Sequence, residues 1–269
     1  MAGAGAEPAG PGGVAALPTF YEYVAPTAWT AVDFVSDLHL GPALPRTFDA
    51  FARYLGGTPA DAVFILGDLF EGWIGDDARG LPYERRCVEL LAEVSSRRTL
   101  AFMVGNRDFL LGAAMLRECG AMGLADPTLL SAWGRRVLLS HGDALCLEDT
   151  EYQAFRREVR SERWRRETLA RPLAERAALA LRMRARSDER RRFDGRSDAD
   201  VDTAAAVAWL HAAGAAELVH GHTHRPGSNE LAPGYRRHVL SDWDLDDGER
   251  PRAEVLRLTR GGFRRLPVR

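Results

Sequence analysis

Ala62-Val-Phe-Ile-Leu-Gly-Asp68 is the stretch that decides the fold. Its apolar run has no polar position and is too short for an ordinary helix, so it reads as a strand buried on both faces. The same shape recurs. Ala31-Val-Asp-Phe-Val-Ser36 leads into Asp37-Leu-His39, Thr99-Leu-Ala-Phe-Met-Val104 into Gly105-Asn-Arg-Asp108, and Arg136-Val-Leu-Leu-Ser140 into His141-Gly-Asp143. Between these runs the period becomes helical. Thr47 to Leu55 sets Phe48, Phe51 and Leu55 on one face, Glu84 to Arg98 reads as helix, and Phe109 to Cys119 as a helix closed by Gly120. The alternation predicts an α/β layered fold with ligands in loops at the carboxyl ends of strands.

After His141 the rhythm stops. Glu151 to Arg192 reads as one or two long helices broken near Pro172, and Asp200 to Ala213 as another. Glu217 to His220, Arg237 to Ser241, Ala253 to Leu258 and Gly262 to Val268 are late strands, expected to form a second sheet. The first 28 residues are rich in Ala, Gly and Pro and carry no basic residue before their short apolar patch. They do not resemble a secretory signal and are expected to be a disordered extension. The domain is then 29–269, with a helical insertion at about 150–198.

At 269 residues, 46% apolar and 28% charged, the chain suits one globular α/β core, and no run is long and apolar enough to span a membrane. Cys87, Cys119 and Cys146 follow no metal or disulfide spacing, which fits a reducing cytoplasm. The net charge of −2 conceals an asymmetry. Every basic residue other than His is Arg. Between Arg156 and Arg192 stand 14 Arg against 6 acidic residues, which leaves 22 basic against 32 acidic elsewhere. So uneven a charge points to an anionic partner for that segment.

Seven residues carry the chemistry: Asp37, His39, Asp68, Asn106, His141, His222 and His224. Carboxylate, amide and imidazole suit a pair of divalent ions such as Mn²⁺, and a two-metal centre hydrolyses phosphate esters and anhydrides. Asp37 and His39, two apart at a strand end, are expected to share a face and bind one ion together. Asp68, after a glycine that relieves crowding, can bridge two ions. Asn106 adds a neutral oxygen, and His222 and His224 can serve one ion each. A lone Asp-x-His or Gly-Asp is common by chance, but five blocks in this order are not.

These blocks (DxH, GD, GN, H and GHxH) resemble the calcineurin-like metallophosphoesterases. Phe64 to Asp77, Gly105 to Gly112, His141 to Asp149, Tyr152 to Arg156 and His220 to Pro226 are similar, more narrowly, to the UDP-2,3-diacylglucosamine hydrolases of lipid A biosynthesis. The likeness runs over roughly residues 31 to 245. It implies two facing β-sheets flanked by helices, a four-layer sandwich, with a helical cap. It implies two Mn²⁺ per chain, one on Asp37, His39, Asp68 and His224, the other on Asp68, Asn106, His141 and His222. Asn106, Arg107, Asp149, Ser187 and His222 match substrate-touching positions. Two more, an Asn and a Lys in relatives, fall on Arg191 and Asp194, with Arg192 or Arg196 as replacement cations. A monomer is expected, peripheral at the cytoplasmic face of the inner membrane of a Gram-negative bacterium.

The residues also bear on the substrate. Two ions sharing a water lower its pKa enough to attack phosphorus directly, so no nucleophilic side chain is needed. Arg107 would stabilise the phosphoryl oxygens, and it is a poor proton donor. The site therefore suits an anhydride whose leaving phosphate needs no proton, with His39 or His222 remaining as the alternative acid. With the resemblance, the implied reaction cuts UDP-2,3-diacylglucosamine at the α-phosphorus. Taken alone, the apolar positions and Arg excess of the insertion read as a solvated helical hairpin packed on the core; with the resemblance they imply a lipid cap on the membrane surface. No aromatic-rich motif supports nucleic-acid binding. A soluble nucleotide or dinucleotide pyrophosphohydrolase on the same fold is the alternative enzyme. A non-catalytic scaffold ranks below both, because all seven ligand residues are present.

Overall fold

The apolar runs resolve into two six-stranded sheets because alternate residues of each run face different partners. The computed structural model describes residues 17–193 and 199–268, without the side chains of 186–193. One sheet is built on three parallel strands, β2 (Ala31–Val35), β3 (Ala62–Leu66) and β4 (Thr99–Met103), extended by β5 (Met122–Leu124). Val63, Ile65, Leu100 and Phe102 face the helices α1 (Pro45–Gly57) and α2 (Pro82–Ser95), in a core with Phe48, Phe51, Val88 and Leu91. Ala62, Phe64, Leu66, Ala101 and Met103 face the other way, into the space between the sheets. The continuous apolar run is thus two alternating faces, both buried.

The second sheet runs in the order β1 (Tyr21–Val24), β6 (Thr128–Ala132), β7 (Arg135–Ser140), β8 (Glu217–His220), β10 (Tyr235–Val239), β9 (Gly227–Ala232). Leu130, Val137, Leu139 and Val219 fill the space between the sheets, while Leu129, Leu138 and Leu218 pack on α7 (Thr203–Ala213) with Ala206 and Leu210. The expected helix–sheet–sheet–helix sandwich is what these three cores make.

Several boundaries differ from the sequence reading. The late strands do not form one sheet. β8 and β10 join β7 in parallel, whereas β11 (Glu254–Thr259) and β12 (Gly262–Pro267) return to the first sheet, with β11 antiparallel to β2. Pairing over 200 residues leaves no local trace in the pattern. The polar Asp33 inside β2 belongs to that return: it is fully buried, accepts from Arg257 Nε at 2.6 Å on β11, and from Tyr54 and Thr58 at 2.7 Å. Tyr21–Val24, placed in the disordered extension by composition, is a strand paired with Thr128–Ser131. Residues 1–16 of that extension lie outside the described residues.

The helix expected from Phe109 begins only at α3 (Ala113–Glu118). Its entry is held by Asp76, which accepts from Gly112 N at 2.9 Å and Met115 N at 3.0 Å, a cap supplied from another loop. The insertion is three helices, α4 (Thr150–Val159), α5 (Glu162–Leu169) and α6 (Leu173–Phe193). The break at Pro172 is there, and a second falls at Ser161, whose hydroxyl caps α5. No helix among the described residues is long and apolar enough to cross a membrane.

Candidate metal centre and active site

All seven expected ligand residues follow the carboxyl ends of parallel strands and converge on one point. Asp37 and His39 follow β2, Asp68 follows β3, and Asn106 follows β4. His141 follows β7, and His222 and His224 follow β8. The first four come from one sheet and the last three from the other, so the centre sits across the sandwich. Asp37 and His39 do not share a face through strand alternation as expected. Both lie past the strand end in left-handed backbone, φ 54° and 49°. Asp68, His222 and His224 are left-handed too, at 54°, 67° and 51°. Each such residue costs about 1–3 kcal/mol, and five together mark a backbone held by its surroundings to aim side chains. Gly67, at φ 91°, lies against Gly105, and a Cβ on either would strike the other's loop. That contact lets the Gly-Asp and Gly-Asn turns pack side by side.

The donor atoms fall into two overlapping sets, Asp37–His39–His224 and Asp37–Asp68–His141, each with its ligand atoms within 4.8 Å of one another. Both include Asp37, and Asp68 joins the second beside His141. His39 Nε2 and His224 Nε2 are 3.3 Å apart, and His224 Nε2 is 3.4 Å from Asp37 Oδ1. On the other side, Asn106 Oδ1 lies 2.9 Å from His141 Nε2 and 2.8 Å from His222 Nδ1. His141 Nε2 is 3.8 Å from Asp68 Oδ1.

The chemistry of this set fits divalent cations. His141 Nδ1 lies 2.9 Å from Leu66 O, a contact in which the ring donates and Nε2 turns toward the amide oxygen of Asn106. Imidazole nitrogens, an amide oxygen and two buried carboxylates thus point inward, a donor set for borderline metals. The electrostatics agree. Burial opposes a charge on His141, yet Asp68, Asp143 and Asp37 outweigh it and push its pKa up to about 9, so the centre attracts positive charge. Burial also opposes the charge on Asp37, but His224, His141 and His39 hold its carboxyl well below the usual range. His222 is pushed down to about 3 by burial and by His141, and so presents a neutral ring.

Several supporting residues had no assigned role in the sequence reading. Asp108 Oδ1 accepts from Gly105 N at 2.7 Å and Oδ2 from Leu69 N at 2.9 Å, which ties the two adjacent ligand loops. Burial and the charge of Asp68 push Asp108 up to about 7. Glu71 lies 3.5 Å from His39 Nδ1, 3.7 Å from Arg107 and 3.1 Å from Arg184 of α6. Asp242 lies 3.7 Å from His224 Nδ1. Carboxylates behind ligand imidazoles orient them. Asp108 and Asp143 each close a motif block and Glu71 lies inside the Phe64–Asp77 stretch, signals available in the sequence; Asp242 carried none.

Of the expected substrate residues, Asn106, Arg107 and His222 line the centre. Arg107 is largely buried, with its backbone N–H on Asp68 Oδ1 at 2.7 Å. Asp149 caps α4, its Oδ1 accepting from Tyr152 N at 2.9 Å. Ser187, Arg191 and Arg192 belong to α6, but their side chains lie outside the described residues, as do Asp194 and Arg196 altogether. Part of the Arg excess turns inward, while Arg157, Arg163, Arg166, Arg171, Arg182 and Arg184 stay exposed. Arg156 and Arg160 grip buried Asp143, and Arg176, 3% exposed, holds Asp77 and Ile74 O.

A model of the calcineurin-like phosphoesterases matches residues 30–226. The chain belongs to this family. Calcineurin-like phosphoesterases of the metal-dependent kind carry a binuclear divalent centre, and the residues gathered here could hold one. Among curated relatives, a UDP-2,3-diacylglucosamine hydrolase of Chromobacterium violaceum is 44% identical over 243 residues, covering 88% of this chain and 99% of that one. Another from Ralstonia nicotianae is 43% identical over 88% and 92%. Among solved structures, Vacuolar Protein Sorting 29 from Cryptosporidium parvum is 13% identical over 89% and 96%, at a TM-score of 0.47, too distant to carry an argument.

Proposed function

We propose that this calcineurin-like phosphoesterase hydrolyses the pyrophosphate bond of UDP-2,3-diacylglucosamine to UMP and 2,3-diacylglucosamine 1-phosphate, in lipid A biosynthesis. The observation that carries the reading is identity above 40% over 88% of the chain to hydrolases of that name, with the whole ligand set gathered at one centre. Asp37, His39, Asp68 and His224 would hold one ion, and Asp68, Asn106, His141 and His222 the other. Two bound ions, Mn²⁺ in this reading, supply Lewis acidity and a water acidified to near neutral pH. Asn106 keeps one oxygen ligand neutral, which limits negative charge where a diphosphate enters. Arg107, held beside Glu71, stays charged and offers its donor fork to the phosphoryl oxygens. It gives no proton to the leaving group, and a phosphate leaving from an anhydride needs none.

The acyl chains would lie against the cap. Phe155, Leu169 and Leu181 of α4, α5 and α6 are exposed large hydrophobics in an Arg-rich segment. Burying them on lipid would gain about 25 cal/mol per Å². The same surface would rest on anionic headgroups at the cytoplasmic face of the inner membrane, the enzyme acting as a peripheral monomer. Turnover in H₂¹⁸O with Mn²⁺, read by mass spectrometry, tests the reading. Label in UMP is expected from attack at the α-phosphorus. Label in the acylated sugar phosphate, or neither product, would overturn it.

A further inference from the structure

The insertion meets the metal centre through one buried carboxylate. Asp143 is fully buried at the turn after β7, two residues beyond His141. Its Oδ2 accepts from Arg156 Nε at 2.9 Å, from Arg160 Nη2 at 3.1 Å and from Tyr152 Oη at 2.7 Å. Those three donors come from α4 and the residue that ends it. Arg160 Nη2 also donates to Gly105 O at 3.1 Å, the residue before Asn106. The Tyr152 ring lies over His222, centroids 5.7 Å apart and planes at 30°. Gln153 Nε2 adds bonds to Asp143 O at 2.7 Å and Cys146 O at 3.1 Å. Asp126 completes the charge count: its Oδ2 is 3.8 Å from Arg156, so two carboxylates face two guanidiniums. The first cap helix thus touches the turn of His141, the turn of Asn106 and the ring of His222, ligand segments from both sheets.

We propose that Asp143, with Arg156 and Arg160, is the positioning group that sets the cap in register with the metal-ligand loops, and so fixes where the acylated sugar lies relative to the reacting phosphate. The proposal deepens the functional reading above and rests on it for the substrate. Arg160 donates twice from one amino group: Nη2 reaches Asp143 on the His141 turn and Gly105 O on the Asn106 turn, each at 3.1 Å, so a single charged nitrogen ties both turns to the end of α4. A buried charge cluster of this kind contributes geometry more than net stability, because desolvation offsets much of its attraction.

The test compares wild type, Arg160→Gln, Arg160→Lys and Asp143→Asn as full-length Mn²⁺-loaded enzymes, with steady-state kinetics on UDP-2,3-diacylglucosamine. For Arg160→Gln the KM rises about tenfold or more, while kcat and Mn²⁺ affinity each stay within about threefold. Arg160→Lys, which keeps the charge on a nitrogen of different reach, falls between it and wild type. Amide exchange in 150–169 quickens in Arg160→Gln and Asp143→Asn, while β3 is unchanged. An unaltered KM with only a lowered melting midpoint would overturn the proposal, as would Mn²⁺ affinity falling in step with activity. If wild type itself does not turn over this substrate, the functional reading fails. The exchange result then decides the register claim alone, and unaltered exchange in 150–169 overturns it.

Discussion

His141 is fully buried, fixed through Nδ1 on Leu66 O, and pressed through Nε2 against Asn106. Truncating it removes a donor that nothing else replaces and leaves the carboxylates of Asp68 and Asp37 closer to uncompensated. His141→Ala is therefore expected to lower Mn²⁺ affinity by about a hundredfold or more in calorimetry; unchanged affinity would take His141 out of the centre. The cysteines mark the opposite case, residues that carry no chemistry. Burial, with Glu84 beside one and Asp143 beside the other, pushes the Cys87 and Cys146 thiols up to about 12. Cys119 is raised as well, chiefly by burial. Because the thiolate is the nucleophile, the ionised fraction at pH 8 is on the order of 10⁻⁴ for the first two. Ellman's reagent should find no fast thiol in the folded protein at that pH and three in urea. Rapid native labelling would show that one of these pockets is open.

At the scale of elements, the cap is attached by inward arginines, and Arg176 of α6 is one that can be removed cleanly. It donates to Arg171 O at 3.0 Å, to Ile74 O and to Asp77. Asp77 is mostly exposed, so that pair contributes little; the two carbonyls left without a donor matter more. Arg176→Ala should cost about 1–3 kcal/mol in urea denaturation, and a change under a few tenths would mean the loop at Ile74 is satisfied some other way. The elements that were legible in sequence are those with one environment along their length. β2, β3, β4 and the Val137–Leu139 centre of β7 are almost all apolar because both faces are buried. β1 and β9 are edge strands with mostly exposed or half-exposed residues, and β5 has three residues and a glycine. None of them carries an apolar signature. The ligand loops were legible for a different reason: their residue types are tied to metal chemistry, whereas Glu71 and Asp242 act only through distant contacts.

Across the whole molecule, the centre joins the two sheets, with Asp37, His39, Asp68 and Asn106 from one and His141, His222 and His224 from the other. Bound ions would cross-link the sandwich at its open end. Saturating Mn²⁺ at a hundred times its Kd would add about 2.7 kcal/mol. For a domain of this size that corresponds to about 5–10 °C in melting midpoint, reversed by EDTA. An identical midpoint with and without chelator would argue against a centre shared by both sheets. The account's central claim joins that centre to an acylated substrate through the cap. Its most direct test is kcat/KM on UDP-2,3-diacylglucosamine against unacylated UDP-glucosamine, under Mn²⁺, for wild type and His141→Ala. The account predicts a preference of about a hundredfold or more for the diacylated substrate, with both rates collapsing in His141→Ala. Equal rates on the two substrates, or activity that survives His141→Ala, would contradict it.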